Sequence, residues 1–169
     1  MRLGVLTLGA ALLSVIPASA AGQERPGFQS ALLVGPSPYD LSGTGTGLAF
    51  NAGITLPLAG RVLLAEPSVG IFTYRSDFGN RTHWLFPELS IQAQARLGAV
   101  RPYIGGGLGA GTAGLSGPAR WVVTLHGLAG LRVHLGGPWG VRGEVRVRSV
   151  DPFHGNTVDY GFGITRTSF

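Results

Sequence analysis

The chain has no cysteine, no lysine and few charges of either sign. Without cysteine there is neither a disulfide framework nor a cysteine-linked lipid anchor, so the fold must hold by packing and hydrogen bonding alone. All 13 basic residues are arginine, and charged residues make up 12% of the chain. An average soluble domain carries roughly 25%, so the usual lysine- and glutamate-rich coat is missing. Long apolar runs are also absent after the N-terminus, and none reaches the roughly 20 residues of a spanning helix. The net charge of +5 raises the question of nucleic acid. Its arginines are dispersed and form no clustered patch, which sets that partner aside. His83, His126, His134 and His154 show no metal-ligand spacing. His126 and His134 share a strand phase, but eight residues along a strand span roughly 27 Å, too far to share an ion. No metal and no cofactor are expected.

The first residues, MRLGVLTLGAALLSVIPASA, read as a secretory signal. Arg2 supplies the basic start, Leu3 to Ile16 the apolar stretch, and Ala18-Ser19-Ala20 the small-residue cleavage site. The expected organisation is a cleaved signal peptide (1–20), a short lead (21–27) and one domain (28–169). About 14 apolar residues are too few for a membrane anchor.

Glycine is abundant, with 29 residues, alongside 11 prolines and few helix-period segments, which points to an all-β fold. Three short turn signals occur at Pro57–Gly60, Gly98–Pro102 and Gly136–Pro138, about 40 residues apart. Longer polar segments fall midway between them, at Pro36–Thr46, Arg75–Thr82, Gly114–Arg120 and Asp151–Asn156. Alternating turns and loops predict eight strands over 28–36, 46–57, 61–74, 82–97, 102–112, 121–135, 139–150 and 157–168. Such strands exceed the globular mode of about 5–6 residues. They suit the 9–11 residues that cross a bilayer at a tilt.

The strands are two-faced. In VRGEVRVR, Val141, Gly143, Val145 and Val147 take one phase and Arg142, Glu144, Arg146 and Arg148 the other. Leu48, Phe50, Ala52, Ile54 and Leu56 likewise oppose Gly47, Ala49, Asn51, Gly53 and Thr55. An arginine facing lipid costs roughly 2–4 kcal/mol at mid-depth. In a membrane barrel the charged phase must therefore face the lumen. The expected lumen charges are Glu66, Glu88, Glu144 and Asp159 with Arg96, Arg132, Arg142, Arg146 and Arg148. Symmetric hairpins would let Arg132 face Glu144, and Arg148 face Asp159.

Eight strands enclose an interior that side chains can fill, so little open-channel conductance is expected. Tyr103 and Trp139 flank the short turns; Tyr74, Trp84, Trp121 and Phe153 flank the longer loops, a distribution expected of interfacial girdles. Pro67 and Pro87 lie on the apolar phase and predict a bulge or a rim position. Gly109 to Gly114 matches G-x-G-x-x-G, but no helix follows to complete a dinucleotide site. These glycines instead leave room for bulky lumen side chains.

The signal peptide, alternating turns and loops, dyad strands and terminal Phe169 together resemble the small outer-membrane β-barrels of Gram-negative bacteria, the OmpA/OmpX/OmpW-like eight-stranded group. Segments such as FPELSIQAQARLG and RPYIGGGLGAG look like theirs, and the resemblance covers 28–169. It implies an eight-stranded antiparallel up-and-down transmembrane barrel, porin-like in class, in the bacterial outer membrane. The implied role is structural, adhesive or of limited permeability, without enzymatic activity. The implied partners are outer-membrane lipids and lipopolysaccharide, with periplasmic chaperones and the barrel-assembly machinery during biogenesis. The barrel is expected to be a monomer. Tyr160, Phe162, Ile164 and Phe169 resemble the family's C-terminal assembly signal. Phe169 falls on the opposite phase from the other three, so either a bulge shifts the register or the signal is imperfect.

Two other functions remain open. A lipid-modifying barrel enzyme would need a serine, histidine and acid near the external rim. Ser76, Asp77 and His83, or Ser149, Asp151 and His154, supply those residue types. A secreted lipocalin-like barrel would turn the valines and leucines inward around an apolar ligand. The thin charge and missing lysine speak against it.

Overall fold

The computed structural model describes residues 27–38, 45–59, 62–76, 81–113, 120–150 and 155–168. The described residues form eight strands: β1 (Phe28–Pro38), β2 (Gly45–Ala59), β3 (Leu63–Ser76), β4 (Arg81–Gln94), β5 (Val100–Ala113), β6 (Arg120–Gly136), β7 (Trp139–Val150) and β8 (Gly155–Ser168). Each runs antiparallel to its neighbours in chain order. β8 pairs with β1 from Phe28↔Ser168 to Val34↔Phe162, closing the barrel. Closure leaves no sheet edge with unpaired backbone groups. Residues 1–26, which hold the expected signal peptide and nearly all of the expected lead, lie outside the described residues.

Period-2 alternation makes the wall two-sided. Along β7 every second residue from Gly140 to Val150 is buried, and those between are exposed or half-buried. The inside is where the polar groups go: Arg142 and Arg148 are 2% and 1% exposed, while Ile104 and Phe162 on the outside are 66% and 65% exposed. Leu32, Leu48, Phe50, Leu108, Val123, Leu131 and Val145 extend the apolar outer surface around the barrel.

The short turns set one end of the barrel. Gly137 sits at φ 55° between β6 and β7, and Gly98 at φ 65° between β4 and β5, left-handed conformations that favour glycine. Leu97 and Val100 exchange two backbone bonds of 2.9 and 3.1 Å across Gly98-Ala99. β4 accordingly ends at Gln94, three residues before the predicted boundary, and Arg96 leaves the ladder.

Pro67 and Pro87 produce no bulge. The β2–β3 ladder is interrupted between Gly53↔Ser68 and Leu56↔Ala65, beside Pro67. The β4–β5 ladder is interrupted between Leu85↔Thr112 and Glu88↔Gly109, beside Pro87. Register is the same on both sides of each gap. Each proline lacks an N–H toward one neighbour and still pairs in register with the other, as Pro67↔Leu89 and Val69↔Pro87. Register shifts occur instead at Pro57/Ala59 and His134/Gly136, both next to short turns.

Candidate functional site

The inward phases of all eight strands build one charge network along the axis. Nearest the turn end, Glu66 on β3 accepts two bonds from Arg142 on β7, at 2.6 and 2.8 Å. The same carboxylate takes Thr55 Oγ1 at 2.6 Å and, at 3.3 Å, Arg132 Nη2 from β6. Arg132 also donates to Gln94 at 2.9 Å and to Gln92. Tyr103 on β5 receives Arg142 Nε at 2.6 Å and donates to Glu144 Oε2 at 2.7 Å. Its ring lies under two guanidiniums, 4.0 Å from that of Arg132 and 4.9 Å from that of Arg142.

In the middle, Glu144 bonds Arg142 and pairs with Arg146 at 2.8 Å. Glu88 on β4 accepts Arg146 Nη1 at 2.5 Å and Arg148 at 2.6 and 3.0 Å. Arg148 also donates to Asp159 on β8, which takes the Ser37 hydroxyl from β1. Four carboxylates and four guanidiniums thus pair with one another inside the barrel, with Arg132 Nε left without a hydrogen-bond partner among the described residues. Each unpaired ion would carry a large desolvation cost, so these bonds are a condition of burial.

At the loop end the filling changes. Phe72, Tyr74, Phe86, Val122, Val150 and Ala49 form an apolar cluster inside the barrel, with Trp84 packed on it. Arg148 lies over the Phe72 ring at 4.4 Å, where the charged and apolar fillings meet. Gly109 keeps the wall bare beside them: a Cβ there would meet Glu88 Cγ at 2.7 Å and Thr124 Oγ1 at 2.8 Å.

Eight of the nine expected lumen charges are in this network. Arg96 is not; it stands exposed beyond the end of β4, because the chain turns at Gly98 before that position can join the ladder. Arg132 does not face Glu144. It lies opposite Arg142, with Gly130 opposite Glu144, so the hairpin register differs by two residues from the expected pairing. Arg148 does reach Asp159, diagonally, since its ladder partner is Thr157.

The aromatic girdle needs a larger correction. Tyr74, Trp84 and Tyr103 share the inward phase and lie inside the barrel, because position near a loop or turn does not override the alternation. Trp121 and Trp139 are exposed on the outer surface, with Arg166 over the Trp139 ring at 5.8 Å. Phe153 and Phe169 lie outside the described residues. Tyr160, Phe162 and Ile164 are exposed on one phase of β8, and no register shift interrupts β8 through Ser168.

Sequence reasoning missed a serine–histidine–acid contact in the lumen. Ser90 Oγ lies 2.8 Å from His126 Nε2, and His126 Nδ1 lies 3.5 Å from Glu88 Oε1. The order matches a hydrolytic triad, but Ser90 is wholly buried and Glu88 already accepts two arginines. A substrate carbonyl has no approach, so the arrangement joins β4 to β6 structurally. Strand phase places Glu88, Ser90 and Gln92 on one inward face and His126 on another, but no spacing along the chain signals that β4 and β6 meet across the lumen. Of the rim sets proposed from sequence, Asp77, Asp151 and His154 lie outside the described residues. His83 instead shares a 3.0 Å bond with Thr73 of the neighbouring strand.

No family model matches the chain, and no curated protein matches it in sequence. Solved structures do match in fold. Neisserial surface protein A aligns with a TM-score of 0.65 at 14% identity, over 82% of this chain and 96% of that one. The N-terminal β-barrel domain of Pseudomonas aeruginosa OprF aligns at 0.59 and 12%, over 86% and 100%. Ail, the attachment invasion locus protein of Yersinia pestis, aligns at 0.57 and 12%, over 84% and 99%. The chain therefore has the fold of the small eight-stranded outer-membrane barrels.

Proposed function

We propose that this protein is a small, non-enzymatic barrel of the bacterial outer membrane, closed along its axis, with a structural or adhesive role. One observation carries the reading. The wall is inverted relative to a soluble barrel, with arginines 1–2% exposed inside and large aliphatic and aromatic side chains exposed outside. In water that outer surface would be an aggregation hazard. Against lipid it is the favoured arrangement, because charge stays off the acyl chains. A lipocalin-like ligand binder needs an apolar interior, and here eight charged side chains fill the centre.

Export would use the signal at 1–20, with cleavage after Ala20, and assembly would use chaperones and the barrel-assembly machinery. Lipids and lipopolysaccharide would surround a monomeric wall. The likeness to Ail, an attachment protein by name, supports adhesion through segments 39–44, 77–80, 114–119 and 151–154. Paired charges and rings fill the lumen, which supports a limited or negligible permeability.

Fractionation with gel mobility tests the reading. The protein should enter the outer-membrane fraction, begin at Ala21 and migrate differently on SDS gels before and after boiling. Recovery in a soluble periplasmic fraction without detergent would refute it. In planar bilayers, steady channels in the wild-type protein would refute the closed lumen alone.

A further inference from the structure

We propose that the outer wall at the turn end holds the phosphate of a membrane phospholipid, on Arg166 of β8 with Trp139 of β7 beside it. The inference rests on the membrane-barrel reading above and names one lipid contact on that wall. Trp139 is directly opposite Arg166 in the ladder, and Arg166 is directly opposite Ser30 of β1. An indole, a guanidinium and a hydroxyl thus form one outward row across the three strands at which the barrel closes. Among the described residues on the outward phases of β7, β8 and β1, Arg166 is the one that carries a charge.

Spacing along the wall puts this row at the edge of the hydrocarbon. From Trp139 the outward phase of β7 runs through Val141, Gly143, Val145 and Val147 before it reaches Ser149. From Arg166 the outward phase of β8 runs back through Ile164, Phe162, Tyr160 and Val158 to Asn156. Ser149 and Asn156 are themselves ladder partners, so the apolar stretch ends in a paired row on both sides. A run of that length rises about 33 Å along the strand. At the tilt of a membrane barrel the height is about 25 Å, which is the apolar band such barrels present to lipid. Short turns lie on the periplasmic side of bacterial barrels, so Arg166 stands at headgroup depth in the leaflet facing the periplasm.

The local chemistry selects a phosphate. Arg166 is exposed, and among the described residues its guanidinium meets the Trp139 ring, 5.8 Å from the centroid. A guanidinium over a ring keeps its planar N–H fork free, and two parallel N–H groups match two phosphate oxygens. Trp139 is itself exposed, in the position of a tryptophan between headgroups and acyl chains. The Ser30 hydroxyl donates to the Arg166 carbonyl at 3.3 Å, which ties the arginine's strand to β1 across the closing seam. Ile164 and Phe162 are exposed next along β8, where the acyl chains of a lipid held by its phosphate would lie.

The test uses the full barrel folded in an uncharged detergent, with phosphatidylglycerol added and bound lipid counted by native mass spectrometry. Retention of phosphatidylglycerol is expected, and diacylglycerol with the same chains should not be retained. Arg166→Gln should weaken binding about fivefold, the weight of one arginine at a membrane surface. Trp139→Leu should weaken it about twofold, the weight of an exposed cation–ring contact. Arg96→Gln removes a charge that lines the interior cavity at the same end, and should leave binding unchanged. Each variant is checked for its boiling-dependent gel shift; if Trp139→Leu does not fold, Arg166→Gln against Arg96→Gln decides. Equal loss in those two would overturn the proposal, since the charge of that end would then act as a whole. Equal retention of diacylglycerol would overturn it too, because the acyl chains alone would carry binding. So would displacement of the lipid by inorganic phosphate, which would mark a site for a free anion. Recovery of the protein in a soluble fraction refutes the membrane reading, whereas a folded outer-membrane barrel indifferent to Arg166→Gln refutes this site alone.

Discussion

The two halves of the barrel interior fill the same tube by different means. Toward the loops, rings pack on rings: Phe72 and Phe86 lie 5.6 Å apart and tilted by 55°, and Tyr74 and Trp84 lie 4.9 Å apart. Toward the turns, guanidiniums and carboxylates interlock around Tyr103, and the last stretch is left open as a cavity. Eight strands leave room for side chains and little else, so either filling closes the bore. The two differ in what a single loss does. An apolar filling loses contacts in proportion to the atoms removed, whereas a charged filling strands the remaining partners. The outer wall is apolar around both halves, so the difference concerns the interior only.

Four substitutions break or sharpen that comparison. The largest effect is expected from Glu88→Leu, which leaves Arg146 and Arg148 without their shared acceptor. A loss of about 5 kcal/mol, at the upper end for a broken buried pair, should appear in urea unfolding followed by tryptophan fluorescence. Adding Arg148→Met with Asp159→Asn should recover part of it, because Arg148 and the carboxylate it pairs with leave together and no charge of that pair is stranded. No recovery would mean that the network acts by shape and not by charge.

Phe86→Ala comes next. It empties the centre of the aromatic half and should cost about 3 kcal/mol in the same assay. Gly130→Ala probes the charged half by volume: the new Cβ would lie 2.4 Å from Tyr103 Oη and 2.5 Å from the Gly143 carbonyl. About 2 kcal/mol of overpacking is expected, and near-ultraviolet circular dichroism should report the displaced tyrosine. Wild-type stability and spectrum would show that Tyr103 is held less tightly than its contacts imply. The smallest change is Tyr74→Phe, which removes a 2.8 Å hydroxyl contact to Ser37 while Ser37 keeps Asp159. A loss of about 1 kcal/mol is expected. A loss as large as that of Phe86→Ala would join Tyr74 to the charge network instead of the ring cluster.

Much of the architecture was legible because it is periodic. The alternation of Val141 to Arg148 appears unchanged in β7, and seven of the eight strands begin and end within two residues of the reading from turn signals. β4 departs because Gly98 and the Leu97–Val100 bridge form a tighter turn than the apolar run to Leu97 suggests. Tyr74, Trp84 and Tyr103 were misplaced by reading nearness to a turn as an interfacial position. Their phase, which was equally available, puts them inside. Arg132 was paired with the wrong partner because the hairpin was centred on Pro138, whereas the turn at Gly137 and the register shift at His134/Gly136 set it opposite Arg142. The bond from Glu66 to Arg142 had no local signal, since β3 and β7 are not neighbours in the sheet.

What the sequence by itself determined is a face for each side chain and a number of strands. Both follow from local rules, the two-residue repeat of an extended chain and the turn chemistry of glycine and proline. Only the tertiary structure decided which charge meets which, that Arg96 stands at the mouth, and that one end closes with rings while the other stays open. Closing the sheet brings inward residues of strands distant in order across a narrow lumen, where long arginine side chains reach partners that no spacing along the chain encodes.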